Sequence, residues 1–171
     1  AHSEQGLMIA WIEASADGLE VSAQSLMDHR NCGRLVLDGA RIDDQAVLAQ
    51  GHDAQMALDR LLDAGRLGLA AQMAGGASAS FEQTLDYLKT RRQFGVAIGS
   101  FQALQHRIAD VFIRLQLAQA ALRIGVAQFD RGGADRARGA ALAKAQCGQA
   151  YMLAAKEGVQ MHGGIGVTDE H

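Results

Sequence analysis

The stretch FQALQHRIADVFIRLQLAQAALRIGVAQF, residues 101–129, decides the fold. Phe101, Leu104, Ile108, Val111, Leu115, Ala118, Leu122, Gly125 and Phe129 recur at alternating spacings of three and four. That spacing sets all of them on one stripe of an α-helix, and its seven-residue repeat is that of a left-handed bundle seam. Gly132-Gly133 ends the run. Upstream, with Asp53 as a candidate N-cap, Met56, Leu58, Leu61, Leu62, Gly65, Leu69, Met73, Phe81, Leu85 and Leu88 carry a helical stripe towards Arg91. Gly75-Gly76 interrupts it at a cost of about 1 kcal/mol per glycine relative to alanine, and marks a point where two backbones could approach closely. Downstream, a third helix is expected from about Asp135 to His162, with Ala141, Ala145, Gly148, Met152, Ala155 and Val159 inward and Gly163-Gly164 as its break. Three long helices with short connections make most of an antiparallel up-and-down bundle.

Working outward, the pattern changes near residue 50. Leu7 to Ile12 is a short apolar run closed by Asp17-Gly18, a turn signal. Glu20-Val21-Ser22 could start a second strand, Asn31-Cys32-Gly33 reads as another turn, and Arg34 to Ile42 places Leu35, Leu37 and Ile42 on one side. Three or four strands in so short a segment suit a piece of a sheet, because edges would be left unpaired. A small β-hairpin cap on a helical domain is the other reading. Thr168 or Asp169 could cap a further helix. The expectation is therefore a mainly α chain: a partial β-domain over 1–50, then a helical bundle over 51–171 that reads as incomplete.

Composition narrows the function classes. At 171 residues, 49% hydrophobic and 20% charged, the chain is ordinary globular protein and can bury a core without staples. Its net charge of -3 shows no basic surface in the total of the kind nucleic-acid binders carry. Cys32 and Cys147 give no disulfide framework and no paired metal spacing, and read as inert small apolar residues of a reducing compartment. His29, His52, His106 and His162 show no ligand spacing, so no metal site is expected. No basic start followed by an apolar stretch is present, and the uncharged run Leu67 to Phe81 is too short for a bilayer span. A soluble protein of the bacterial cytoplasm is expected, abundant alanine, glycine and arginine pointing to a GC-rich genome.

Three clusters carry chemistry. In Arg91-Arg92-Gln93-Phe94-Gly95, two guanidinium groups at a helix end can grip a phosphate bidentately, Gln93 adds an amide and Gly95 frees the turn. The same residues would also serve as a solvated basic C-terminus favourable to the helix dipole. Phe101-Gln102, with Gln105-His106 and Ala109-Asp110 beyond, opens a helix whose free N–H groups suit an anion, or simply begins the core seam. Gln160-Met161-His162-Gly163-Gly164-Ile165-Gly166 lets a ligand approach the backbone, or caps a helix. It is not a P-loop or a dinucleotide fingerprint, lacking the lysine and the preceding strand. His162 reads as structural.

Taken in order, Arg91-x-Gln93-Phe94-Gly95, Phe101-Gln102, Gln105, Ala109-Asp110 and Gln160-x-x-Gly163-Gly164-x-Gly166-x-x-x-Glu170 closely resemble the C-terminal part of the acyl-CoA dehydrogenase family. Leu35 to Leu48 looks like the end of that family's middle β-domain, and residues 53–171 look like its C-terminal helical domain. The resemblance implies an FAD-dependent enzyme that desaturates an acyl-CoA thioester, a carboxylate taking the α-proton while the β-hydride passes to FAD. It implies that Arg91, with Gln93 and Phe94 beside it, meets the FAD pyrophosphate, and that Gln102, Gln160, Gly163 and Gly164 meet its ADP portion in a neighbouring subunit. Asp63 and Arg66 match positions lining the acyl-CoA site. It further implies a homo-oligomer or a related subunit as partner, and an electron-transfer flavoprotein as acceptor. Some members carry their base at the position of Gly65, and glycine cannot serve; the family's usual glutamate lies beyond residue 171, so Glu170 is not it. No catalytic residue is therefore assigned, and the chain alone is expected to be inactive. A non-catalytic helical partner or oligomerisation module of a flavoenzyme complex is the alternative.

Overall fold

The computed structural model describes residues 2–3, 6–27 and 31–169; His29 and Glu170 lie outside them. The chain divides into two compact units, residues 1–59 and 60–171. In the first, β1 (His2–Ser3), β2 (Gly6–Ala10) and β5 (Val47–Gln50) form an antiparallel sheet in the order β1-β2-β5, with an irregularity between Ile9 and Ala10. β3 (Leu19–Ser25) and β4 (Asn31–Leu37) form a separate hairpin ladder in register from Leu19↔Leu37 to Ser25↔Asn31. Asn31-Cys32-Gly33 is thus strand, not turn: it pairs with Ala23 to Ser25, and the ladder satisfies backbone groups that a turn would leave to water. Cys32 is exposed, so only Cys147 fits the reading of a buried small residue. Ile42 lies outside any strand.

The helical unit is built on α1 (Gly51–Thr90), α2 (Gln102–Arg131) and α3 (Asp135–His162), with a two-residue hairpin β6 (Arg92–Gln93) and β7 (Val96–Ala97) between α1 and α2. The mainly α fold with a few strands is that expected from the periodicity. Gly132, at φ 70°, closes α2, and its N–H donates to the Gln128 and Phe129 carbonyls.

Small residues make the core. Leu67, Ala70 and Ala74 of α1 pack with Ala118 of α2 and with Ala140, Ala143, Cys147 and Ala150 of α3. Ala77, Val111, Leu115 and Ala154 form a second cluster beside Phe81 and Leu153. Alanine and glycine let the helix backbones approach, so dispersion contacts are gained along the whole seam rather than from large side chains. The α2 stripe holds at Val111, Leu115, Ala118 and Gly125, with Leu104, Ile108, Leu122 and Phe129 half-buried and Phe101 exposed. Two stripes need correction. In α1, Met56, Leu61, Leu62 and Leu69 are exposed while Leu67, Ala70, Ala74 and Ala77 face inward. In α3, Ala141, Ala145, Met152 and Val159 are exposed, and Ala140, Ala143, Cys147, Ala150, Ala154 and Gly158 are buried. Several large apolar side chains of these two helices point out because most inward positions are filled by alanine and glycine, with Leu67, Leu88 and Met161 the large apolar residues buried among them. Gly75 faces open space, and a Cβ on Gly76 would reach the Tyr151 ring at 2.7 Å, so the pair marks the seating of a side chain rather than an approach of two backbones.

Candidate functional site

The three sequence clusters come together at one end of the helical unit. α1 ends at Thr90, and the chain reverses through the β6–β7 hairpin, with Arg92 facing Ala97 and Gln93 facing Val96. The turn is Phe94-Gly95, both in the left-handed region at φ 55° and 81°. Asn and Gly usually occupy these places in a primed turn, so a phenylalanine here costs about 1 kcal/mol or more. Phe94 is 89% exposed, and its ring meets the Phe101 ring edge to face at 6.0 Å. The two arginines divide their roles. Arg92 Nη2 donates to the Gly95 carbonyl at 3.1 Å and braces the turn. Arg91 holds the hairpin through its backbone, its N–H donating to the Tyr87 carbonyl and its carbonyl accepting from Ile98 N–H. Its guanidinium is exposed and makes no hydrogen bond among the described residues.

Gly99 seats the next turn on α1: a Cβ there would meet the Leu88 carbonyl at 2.8 Å. Gln105 Nε2 donates to the Gly99 carbonyl at 2.9 Å, so that glutamine is structural. Gln102, the first residue of α2, is exposed, and Phe101 at the N-cap supplies no side-chain cap, leaving first-turn N–H groups open. The end of α3 reaches the same place. His162 is buried, its Nδ1 lies 2.7 Å from the Gly158 carbonyl, and its ring stacks on Tyr87 at 4.4 Å. A cavity of about 250 Å³ lies between these ends, lined by Gln83, Asp86, Tyr87, Thr90, His162 and Ile165. Gln160 is exposed; Gly163, at φ 66°, donates its N–H to the Gln160 carbonyl. Neither Gly163 nor Gly164 has an atom within 4 Å of where a Cβ would stand, so their backbone is open to approach. Gly166 is different: a Cβ would strike the Val159 carbonyl at 2.5 Å, which explains that glycine by packing alone.

Asp63 and Arg66 lie elsewhere. Asp63 is 1% exposed, and both its carboxylate oxygens accept from arginines: Oδ1 from Arg66 Nη1 at 2.6 Å, Oδ2 from Arg136 Nε at 2.9 Å. At 1.5 Å rise per residue, Asp63 sits about 40 Å of helix away from Arg91. Gly65, between them, is exposed and its Cβ position is empty. Sequence reasoning missed Arg136. Its signal was electrostatic, a cation in the first turn of α3 where the helix dipole disfavours one.

Cys147 and Arg107 have shifted acidity. Burial raises the Cys147 thiol, whose Sγ lies 3.5 Å from the Ala118 carbonyl. Arg107 is held more firmly protonated by its hydrogen bond to Glu157. Among the described residues no three His, Cys, Asp or Glu side chains converge on a metal position, and no helix is long and apolar enough to cross a membrane.

Residues 50–171 match the family model described as acyl-CoA dehydrogenase, C-terminal domain. The chain is 40% identical over 111 residues to the acyl-CoA dehydrogenase IpdE2 of Mycobacterium tuberculosis, covering 65% of this chain and 33% of that one. It is 32% identical over 139 residues to the mitochondrial short/branched chain specific acyl-CoA dehydrogenase of Rattus norvegicus, covering 81% of this chain and 32% of the relative. Among solved structures, a chain of the ChsE4-ChsE5 complex from Mycobacterium tuberculosis superposes with a TM-score of 0.87 at 29% identity, over 100% of this chain and 45% of that one. The chain thus spans about a third of the length of these curated relatives.

Proposed function

The chain belongs to the acyl-CoA dehydrogenase family, and from that premise we propose that it supplies the phosphate-side contacts for the FAD of an enzyme that α,β-desaturates an acyl-CoA thioester. FAD, when bound, supplies the two-electron acceptor of that reaction. The donor set fits a dinucleotide pyrophosphate: an uncommitted exposed guanidinium on Arg91, the amides of Gln93, Gln102 and Gln160, open first-turn N–H groups of α2, and the bare backbone of Gly163-Gly164. Phe94 offers an exposed ring beside them. Asp63 and Arg66 line the acyl-CoA site on this reading.

The observation that carries the proposal is the separation of these two groups along α1. About 40 Å of helix is longer than one extended dinucleotide, so Arg91 and Arg66 of one copy cannot both contact the same FAD. On this reading the two ends serve different active sites, and a second subunit, identical or related, is part of the function. An electron-transfer flavoprotein is the proposed acceptor and the bacterial cytoplasm the proposed place. Gly65 carries no side chain and Asp63 is tied to two arginines, so neither is free to act as a base. The 171-residue chain is therefore expected not to oxidise acyl-CoA with an artificial electron acceptor. The same bare Gly65 favours a second reading, a non-catalytic subunit that lends its FAD contacts to a catalytic partner.

The test is flavin binding followed by gel filtration with protein and flavin absorbance recorded together. Flavin is expected to co-elute with a dimer or larger species. Arg91→Ala should cost about 2 kcal/mol of flavin affinity, the loss of a charge-assisted phosphate contact. Unchanged flavin affinity in that variant overturns the assignment and leaves the cluster as a helix cap.

A further inference from the structure

The Arg91 hairpin and the Gly163-Gly164 turn leave different helices, and one pyrophosphate can meet both only if the ends of α1 and α3 keep a fixed spacing. We propose that the stacked rings of Tyr87 and His162 are the positioning pair that sets this spacing. The inference rests on the reading of the two segments as FAD contacts.

Before those ends, α1 and α3 meet through small groups. Ser80 Oγ donates to the Ala154 carbonyl at 3.3 Å, and a Cβ on Gly158 would stand 3.1 Å from Ser80 Oγ and 3.3 Å from Thr84 Oγ1. One turn further the contact changes to two rings, Tyr87 and His162, with centroids 4.4 Å apart and 29° between their planes. Each ring is tied to one of the two segments. The Tyr87 carbonyl accepts from Arg91 N–H at 2.8 Å, and the Arg91 carbonyl accepts from Ile98 N–H at 2.9 Å, so the hairpin hangs from the turn of α1 that carries the ring. His162 directly precedes Gly163, whose N–H donates to the Gln160 carbonyl. The imidazole is itself fixed: the Gly158 carbonyl can only accept, so Nδ1 carries the proton and donates across 2.7 Å. A buried polar ring is a costly way to fill space, and a cavity of about 250 Å³ rather than packed core borders the pair. What the two rings contribute is therefore spacing, and a smaller side chain at either place lets the helix ends close or shear.

The test is FAD binding to the full chain, titrated by flavin fluorescence, with a thermal melt for each variant. Tyr87→Leu and His162→Leu should each weaken FAD by about tenfold, and the double variant by about the same factor rather than about a hundredfold, because either change already removes the stack. Tyr87→Phe keeps the ring and should bind FAD within about twofold of wild type. Gly125→Ala, overpacked near the other end of α2, separates positioning from stability: it should lower the melt and leave FAD affinity unaltered. Wild-type FAD affinity in both leucine variants overturns this inference alone and leaves the pair as core packing. Factors that multiply in the double variant also overturn it, since the rings then act separately. So does an equal loss in Gly125→Ala, which makes the effect one of general stability. Where one leucine variant does not fold, the other is compared with Tyr87→Phe and Gly125→Ala on the same terms; if neither folds, the pair holds the fold itself and the inference is overturned. Unaltered affinity in Arg91→Ala, or no FAD bound by the wild-type chain, overturns the reading of the site on which the inference stands.

Discussion

Gly125 and Phe94 belong to two regions of the helical unit where residue type and backbone conformation are mismatched in opposite directions. Gly125 sits within α2, where any residue could adopt the backbone, yet no side chain fits: a Cβ would stand 2.8 Å from the Gly139 carbonyl and 3.0 Å from both Ala143 Cβ and Leu67 Cδ2. Phe94 sits at φ 55°, where glycine or asparagine is favoured, and is 89% exposed with its ring edge-on to Phe101. The seam's oddity is fully accounted for by close packing. The hairpin's is not, and a strained residue unsupported by packing points to function. The largest effect expected from this contrast is at the seam. Gly125→Ala should destabilise the protein by about 2 kcal/mol, overpacking against a backbone carbonyl outweighing the helix propensity gained. A thermal or urea melt reads it; an unchanged midpoint would show that the seam is loose and the contrast false.

The same contrast explains what was legible in advance. α2 could be read because Leu104, Ile108, Val111 and Leu115 keep an unbroken three-and-four spacing, even though Phe112, Ile113 and Leu117 outside are as large. α3 could not: it carries alanine all round, so Ala141 and Ala145 outside are indistinguishable by composition from Ala140 and Ala143 inside. Met152 and Val159 then pull a size-weighted reading onto the solvent side. α1 fails in the same way at Leu61, Leu62 and Leu69. At the candidate site, the helix end, the arginines and the glycine turn were visible because breaks and charges are local signals. That Arg92 braces the turn while Arg91 stays uncommitted, and that Asp63 has a second partner in Arg136, depend on tertiary geometry that no local spacing encodes.

A second test of the seam uses acidity. Cys147 is buried, and burial holds its thiol above its ordinary range. A folded-state value raised above the unfolded one means the stabilisation is fully present below the unfolded thiol's pKa and is lost as pH rises through the folded value. In that alkaline window the unfolded chain releases a proton the native state keeps, so stability should fall by up to about 1.4 kcal/mol per pH unit. Cys147→Ala should remove that slope, measured as urea midpoints across alkaline pH. A slope shared by both proteins would mean the seam admits water at Cys147. Slightly smaller is the effect at a glycine outside the seam. Gly65 is exposed within α1 with nothing near its Cβ position, so Gly65→Ala should stabilise by about 0.8 kcal/mol. Opposite signs at Gly65 and Gly125, from the same substitution, would show that packing rather than composition distinguishes the glycines.

The smallest effect on stability is the most informative about function. Phe94→Asn keeps an exposed side chain at a position where asparagine adopts φ above zero readily. It removes the backbone penalty and loses the edge contact with Phe101, an exposed pair worth little, so the net gain should be about 0.5 kcal/mol. Were Phe94 there for stability, asparagine would be equal or worse. If instead the ring is there to meet a ligand, the variant should melt slightly higher and bind flavin more weakly, the two readouts moving in opposite directions. Loss of both would mean the ring supports the Arg92-braced turn and acts on the site only through it. Gain of stability with unaltered flavin affinity would remove Phe94 from the site, leaving Arg91, Gln102 and the Gly163-Gly164 backbone to hold the phosphates.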